Sequence, residues 1–334
     1  MKDVIKKLRA LFDVNKIDGY IIPKNDEFFS EFANNDRLKK ITKFTGSAGY
    51  AIILKKKNYL FVDSRYTIQA NIESGKKFEI LDYEKIFNFK KINNLIIGID
   101  PALFTSEQIK KIFPKKNIKE LRKNLVDQII NFKTFKINQF YSLGENITGQ
   151  GQRDKIKNTI NYLKRRNIDH IFISAPENVA WILNIRGSDS PTSPIPNSHL
   201  IISRNYKKII IAQKDKLKYL IKKKIIKTSE IIDPKRIEDL NTRLKGKSIL
   251  LDKKSCSLKF EKFFSQNFRI IKKIDPTYLR KSIKNKTEIN NMIKAHIEDG
   301  VALTKFLFWI KNINKKRITE VDAQNKLELF RKKK

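Results

Sequence analysis

The chain has 334 residues, 72 Lys+Arg against 35 Asp+Glu, a formal net charge of +37 and 40% hydrophobic residues, enough for a real core and, at about 150 residues per domain, for two domains. Of the basic residues 57 are Lys and 15 Arg, whereas base and phosphate recognition favours the planar guanidinium fork, so the charge reads as a solvated basic surface rather than a nucleic-acid footprint. The single cysteine, Cys256, excludes an internal disulfide, charged residues interrupt residues 1–23 where a signal peptide needs an apolar run, and no stretch approaches the ~20 apolar residues of a membrane span; a cytoplasmic protein is expected.

In chain order, residues 2–14 carry Val4, Ile5, Leu8, Leu11 and Phe12 as a helical apolar stripe. Ile17-Asp18-Gly19 and the apolar run Tyr20-Ile21-Ile22 follow, stopped by Pro23. Ile41 to Ser47 leads into strand-like residues 50–54 and 58–62, which have the β-branched, turn-bounded pattern of a hairpin, and residues 95–99 end at Asp100. The order then repeats. Ile156, Ile160 and Leu163 form a second stripe, followed by Ile168-Asp169-His170, Ile171-Phe172-Ile173 and Pro176. Residues 181–188, the pair 200–203 and 208–212, and residues 248–251 closed by Asp252 complete the second copy. The offsets are 151 for the Ile-Asp pair, 141 for Gly-Ser and 152 for the closing Asp, which argues for duplication. Strands mixed with helices in each copy predict two α/β domains, 1–137 and 153–280, joined by a linker at 138–152 where Gly144, Gly149 and Gly151 sit among polar residues.

From residue 281 the pattern changes. Ile289, Ile293, His296, Gly300, Leu303 and Leu307 share one helical face, which predicts a packed core histidine at 296. Thr319 with Asp322 reads as an N-cap, and Ala323, Leu327 and Phe330 define a second helix running into Arg331-Lys332-Lys333-Lys334. Residues 281–334 are too few for a core of their own and read as a domain cut short.

Ligand spacings for a metal are missing: the histidines, His170, His199 and His296, form no His-x-x-x-His, and there is no cysteine pair. His170 reads as a packing or domain-surface residue; His199, after a proline-rich loop, is left open. Thr45-Gly46-Ser47-Ala48-Gly49 precedes a strand, unlike a nucleophile elbow, and reads as a turn needing small residues. No glycine-rich phosphate loop is present. Cys256 lies in a Lys-rich stretch that could lower its pKa, yet a lone thiol reads as incidental. Three polar clusters remain. Asp63-Ser64-Arg65-Tyr66 ends a strand, where a guanidinium suits a carboxylate or peptide carbonyl, or else caps a turn. Arg186-Gly187-Ser188-Asp189, among Pro191, Pro194 and Pro196, is a rigid loop that lines a site or packs on a neighbouring domain. Asn25-Asp26-Glu27 is an acidic turn without an evident partner.

Several of these segments carry a family resemblance. Ile17 to Pro23, Phe44 to Gly49, Val62-Asp63-Ser64-Arg65-Tyr66 with Gln69-Ala70, Asn124-Leu125-Val126-Asp127, Asn178 to Trp181 with Asn184 to Asp189, and residues 284–301 with Thr319 to Asp322 occur in the order found in Xaa-Pro aminopeptidases of the creatinase/prolidase superfamily. The resemblance implies two tandem creatinase N-terminal-like (ribonuclease H-like) mixed-sheet domains and the first helices of a truncated pita-bread catalytic domain at 281–334. In that family two Asp, one His and two Glu of the pita-bread domain hold two divalent ions, usually manganese, which activate water against the bond preceding a proline. This chain ends before those ligands, so the expectation is a substrate-gating and dimerising part that does not cleave by itself, forms a homodimer, and in the full-length protein meets peptides with proline at the second position. Arg65 matches the family's substrate-binding arginine and is the one site residue carried over. The competing readings are a non-catalytic peptide-binding or dimerisation module and, more remotely, a nucleic-acid-binding protein.

Overall fold

The computed structural model describes residues 2–30, 32–114, 117–132, 137–313 and 318–332. They form two compact units, Met1–Ser142 with Gln152–Tyr278, and Leu143–Gly151 with Leu279–Lys334.

The first unit holds two six-stranded mixed sheets. In the first, β1 (Gly19–Pro23), β2 (Gly49–Leu54), β3 (Asn58–Val62), β4 (Glu79–Asp82), β5 (Ile97–Ile99) and β6 (Ile118–Glu120) lie in the order β4-β3-β2-β1-β5-β6. β2 is antiparallel to β1 and β3; the remaining pairings are parallel. The short β7 (Tyr141–Ser142) leads to the second sheet, pairing with β9 (Ile185–Arg186). There β8 (His170–Ile173), β10 (His199–Ser203), β11 (Lys208–Ile211), β12 (Ile231–Ile232), β13 (Ser248–Asp252) and β14 (Arg269–Lys273) take the order β12-β11-β10-β8-β13-β14, with the same pattern of parallel and antiparallel neighbours.

Each sheet is buried on both faces, which is why its central strands are continuous apolar runs rather than alternating ones. The period of two divides β1: Tyr20 and Ile22 face a core with Leu8 and Phe12 of the helix Lys2–Val14, and Ile21 faces the other core with Tyr50, Phe61 and Phe104. β8 is divided the same way, Ile171 and Ile173 against Ile160 and Leu163, Phe172 against Phe264. The sheets meet through backbone bonds, Leu258 N–H to the Phe104 carbonyl (2.7 Å) and Lys259 N–H to that of Pro101 (2.9 Å), and through a Lys262–Glu120 ion pair at 2.6 Å.

The second unit contains the helices Glu145–Thr148, Lys286–Lys311 and Glu320–Lys332; Lys333 and Lys334 lie outside the described residues. Asn285 and Glu288 cap the long helix reciprocally at 3.0 Å, and Thr319 and Asp322 do so for the last, as their spacing suggests. The expected core histidine is not there. His296 is exposed and its Nδ1 contacts only the Met292 carbonyl (2.8 Å), because Ile289, Ile293 and Leu307 on that face are themselves exposed and Ala302 is the helix's one buried residue among those described.

Candidate functional site

The end of β3 presents the residue singled out from the sequence. Tyr59 to Val62 are buried, and Asp63, the first residue beyond them, caps a 3₁₀ turn over Ser64–Tyr66. Its Oδ1 accepts the Arg65 backbone N–H (3.0 Å) and Nε (2.8 Å), while Nη2 donates to Oδ2 (3.2 Å). The Arg65 hydrogen bonds hold the Asp63 carboxyl below the usual carboxylate range. The Arg65 side chain remains 75% exposed, its guanidinium 5.8 Å from the Tyr66 ring centroid, so the turn is capped while the guanidinium stays in solvent. Tyr66 Oη and Ser47 Oγ share a hydrogen bond of 2.9 Å. Thr45 donates from N (2.7 Å) and Oγ1 (2.6 Å) to Glu73, fixing the turn 44–49 on the helix Thr67–Ser74. Small residues are required there: a Cβ on Gly46 would lie 2.1 Å from the Phe44 ring. Beside this turn is a cavity of about 310 Å³ lined by Lys24, Asp36, Thr45, Ser47, Phe32 and Pro191.

The acidic turn has a partner after all. Arg37, with its side chain only 4% exposed, reaches Glu27 at 2.5 Å and grips Asp127 with two bonds of 2.8 Å. Such a fork is the strong form of the ion pair. Asp26 Oδ1 accepts from Phe28 N–H (2.9 Å) and Ser30 N–H (3.0 Å), and burial pushes its pKa up to about 6. The loop of the second copy both packs and lines. Arg186 Nη1 donates to the Ala180 (3.2 Å) and Ile185 (2.9 Å) carbonyls, while Asp189 pairs with Lys216 at 2.7 Å and offers its carbonyl to Asn34 (3.1 Å). Ser188 and Asp189 then border a cleft of about 660 Å³ with Asp26, Glu27 and Asn35.

His170 is a packing residue, bonded to Ser203 Oγ (2.7 Å) and the Lys245 carbonyl (3.1 Å). Cys256 behaves opposite to the suggestion of its Lys-rich surroundings: it is buried, and burial raises its pKa well above normal, with Glu261 and Asp252 adding to the rise and Lys272 opposing it. Among the described residues no three His, Cys, Asp or Glu converge as a metal site, so the donor set does not fit a metal pair. Neither Arg37, just ahead of a lysine-rich segment, nor Phe28, which stacks on His199 at 4.9 Å, stood out in the sequence. The Asn124-Leu125-Val126-Asp127 segment held the one available hint, a carboxylate just inside a capped helix.

Two family models, both described as a creatinase/prolidase N-terminal domain, match the chain, one at residues 5–129 and the other at residues 133–288. Together the matches take in well over half of the chain, which belongs to the creatinase/prolidase family. Xaa-Pro aminopeptidase 1 of Dictyostelium discoideum is 28% identical over 98% of this chain and 57% of its own length, and the probable Xaa-Pro aminopeptidase P of Penicillium rubens is 29% identical over 98% and 58%. The chain thus spans somewhat over half the length of these relatives. The crystal structure of X-prolyl aminopeptidase from Caenorhabditis elegans, described as a cytosolic enzyme with a di-nuclear active site, superposes with a TM-score of 0.85 at 22% identity, over 99% of this chain and 60% of that one.

Proposed function

We propose that this chain is the substrate-gating and dimerising part of a cytoplasmic, metal-dependent Xaa-Pro aminopeptidase that releases an N-terminal residue preceding proline. The observation that carries this reading is collinearity: both creatinase-like domains and the following helices align with Xaa-Pro aminopeptidases over 98% of the chain. In this reading the two repeats, 1–137 and 153–280, flank a linker at 138–152, and the divalent pair, manganese by expectation, is held by residues other than those described here. Arg65 binds the peptide. Its exposed fork, steadied by Asp63 and the Tyr66 ring, keeps N–H donors for a peptide carbonyl or carboxylate.

The test uses the 334-residue chain with manganese and a set of Xaa-Pro peptides. Saturable binding without release of the first residue supports the proposal; cleavage by this chain, or no peptide affinity, counts against it. Binding that survives Arg65→Ala assigns recognition to other residues. A non-catalytic peptide-binding module is the second reading, favoured by the same absence of converging metal ligands among the described residues. The two separate when the chain is joined to a catalytic domain from a relative: activity arising only in the joined protein supports the aminopeptidase part.

A further inference from the structure

Behind the cleft that Asp26 and Asp189 border lies a recess of about 270 Å³ to which both repeats contribute, Phe28 and Ala102 from the first, His199, Gln213 and Phe260 from the second. The wider cleft shares Glu27, Phe28, Asn197, Gln213 and Lys216 with it. His199 is only 6% exposed and surrounded by rings: Phe28 stacked at 4.9 Å, Phe260 edge-on at 4.8 Å and Phe172 at 5.3 Å. Its Nδ1 lies 2.9 Å from the Ser174 carbonyl. A carbonyl only accepts, so Nδ1 carries the hydrogen and, in the neutral ring, Nε2 is a bare acceptor. Burial lowers the His199 pKa to about 4, which keeps the ring neutral at pH 7. Among the described residues Nε2 has no hydrogen-bond partner, and it is not one of the fully buried unpaired polar atoms, while His199 lines the recess.

A donor entering the recess would give Nε2 the partner it lacks. The charges at the rim are already answered: Glu27 by Arg37 at 2.5 Å and Lys216 by Asp189 at 2.7 Å, while Lys259 is exposed. The Phe28 and Phe260 rings and the aliphatic Ile211 and Ala212, with the His199 acceptor and the uncharged polar Asn197, Gln213 and Ser257, suit a small uncharged ring. Phe28 is held ready for this. Its neighbour Phe29 has φ +59°, a conformation costly for an aromatic residue, maintained by the two bonds to Asp26.

We propose that this recess is a binding site for a small neutral aromatic molecule bearing one O–H or N–H donor, of the phenol or indole class, which donates to His199 Nε2. Phenol is the probe. Titrated into the full 334-residue chain, it is expected to shift the His199 Nε2 signal saturably in long-range proton–nitrogen spectra, whereas anisole, the same ring without the donor, binds at least tenfold more weakly. By calorimetry, His199→Phe removes the acceptor and Ala102→Phe fills the space from a half-buried turn position; each is expected to weaken phenol at least tenfold while circular dichroism shows an intact fold. No saturable shift, meaning a recess that holds water only, would overturn the site. Anisole binding as well as phenol, or benzoate binding better, would overturn the donor assignment, and phenol affinity unchanged in both folded variants would place the molecule elsewhere.

Discussion

The two sheets are built to one plan and end differently. In each, the second strand of the hairpin, β3 or β11, pairs its last residue with the first residue of β2 or β10: Gly49 with Val62, His199 with Ile211. In the first repeat that position must be glycine, since a Cβ would lie 2.8 Å from the Phe61 carbonyl, and the chain leaving β3 turns outward to expose Arg65. In the second repeat the same position carries a buried imidazole, and the chain leaving β11 passes Gln213 along the interior recess. The scaffold fixes where strand ends fall, and the residues placed there differ, a glycine at 49 and a buried imidazole at 199.

The largest effects should come from the shared scaffold. Ile21 and Phe172 are equivalent, each buried at the centre of its sheet. Phe172→Ala is expected to lose about 3–5 kcal/mol and Ile21→Ala about 2–5 kcal/mol in urea titrations. If either variant melted in two steps with the other sheet intact, the repeats would be independent rather than one compact unit. Arg37→Ala should follow at about 1.5–3 kcal/mol, because it removes the hydrogen bonds of a buried guanidinium to Glu27 and Asp127, whose carboxylates are themselves 44% and 40% exposed; Arg37→Leu, losing far less, would show that the fork contributes little.

A subtler contrast is in pH. Asp26, at the first repeat's side of the cleft, has its folded pKa raised by burial to about 6, with Glu27 adding to the rise and Arg37 opposing it. Its native state binds the extra proton, so its contribution is present below pH 4 and lost as pH rises to about 6. His199, in the second repeat, has its pKa lowered by burial to about 4, so it destabilises near pH 4 and its penalty vanishes as pH rises through about 6.5. Thermal melts between pH 4 and 7 should therefore gain a steeper rise with pH in Asp26→Asn and a flatter one in His199→Phe. Identical slopes in both variants and the parent would contradict the burial of these groups.

The repeat itself was legible because apolar periodicity and nearly constant offsets survive divergence: Tyr20-Ile21-Ile22 and Ile171-Phe172-Ile173 lie in register as β1 and β8. The exposed position of Arg65 was legible because the cluster Asp63-Ser64-Arg65-Tyr66 follows directly on a strand. Arg37 was not, since its partners are 10 and 90 residues away and pairing over such distances leaves no local pattern. His296 misled for the opposite reason. An apolar helical stripe states that a face is suited to burial, and on Lys286–Lys311 Ile289, Ile293 and Leu307 remain exposed. Cys256 shows the same limit in charge: neighbouring lysines lower a thiol pKa only when they face it, and here burial dominates.

The smallest expected change in stability is the most informative for function. Arg65→Ala alters a solvent-exposed side chain and should leave the melting temperature unchanged. Calorimetric titration of a Xaa-Pro peptide into the parent chain and this variant should then show at least a tenfold loss of affinity with an unaltered fold. Equal affinity for both would contradict the view that the first repeat turns its strand end outward to hold peptide.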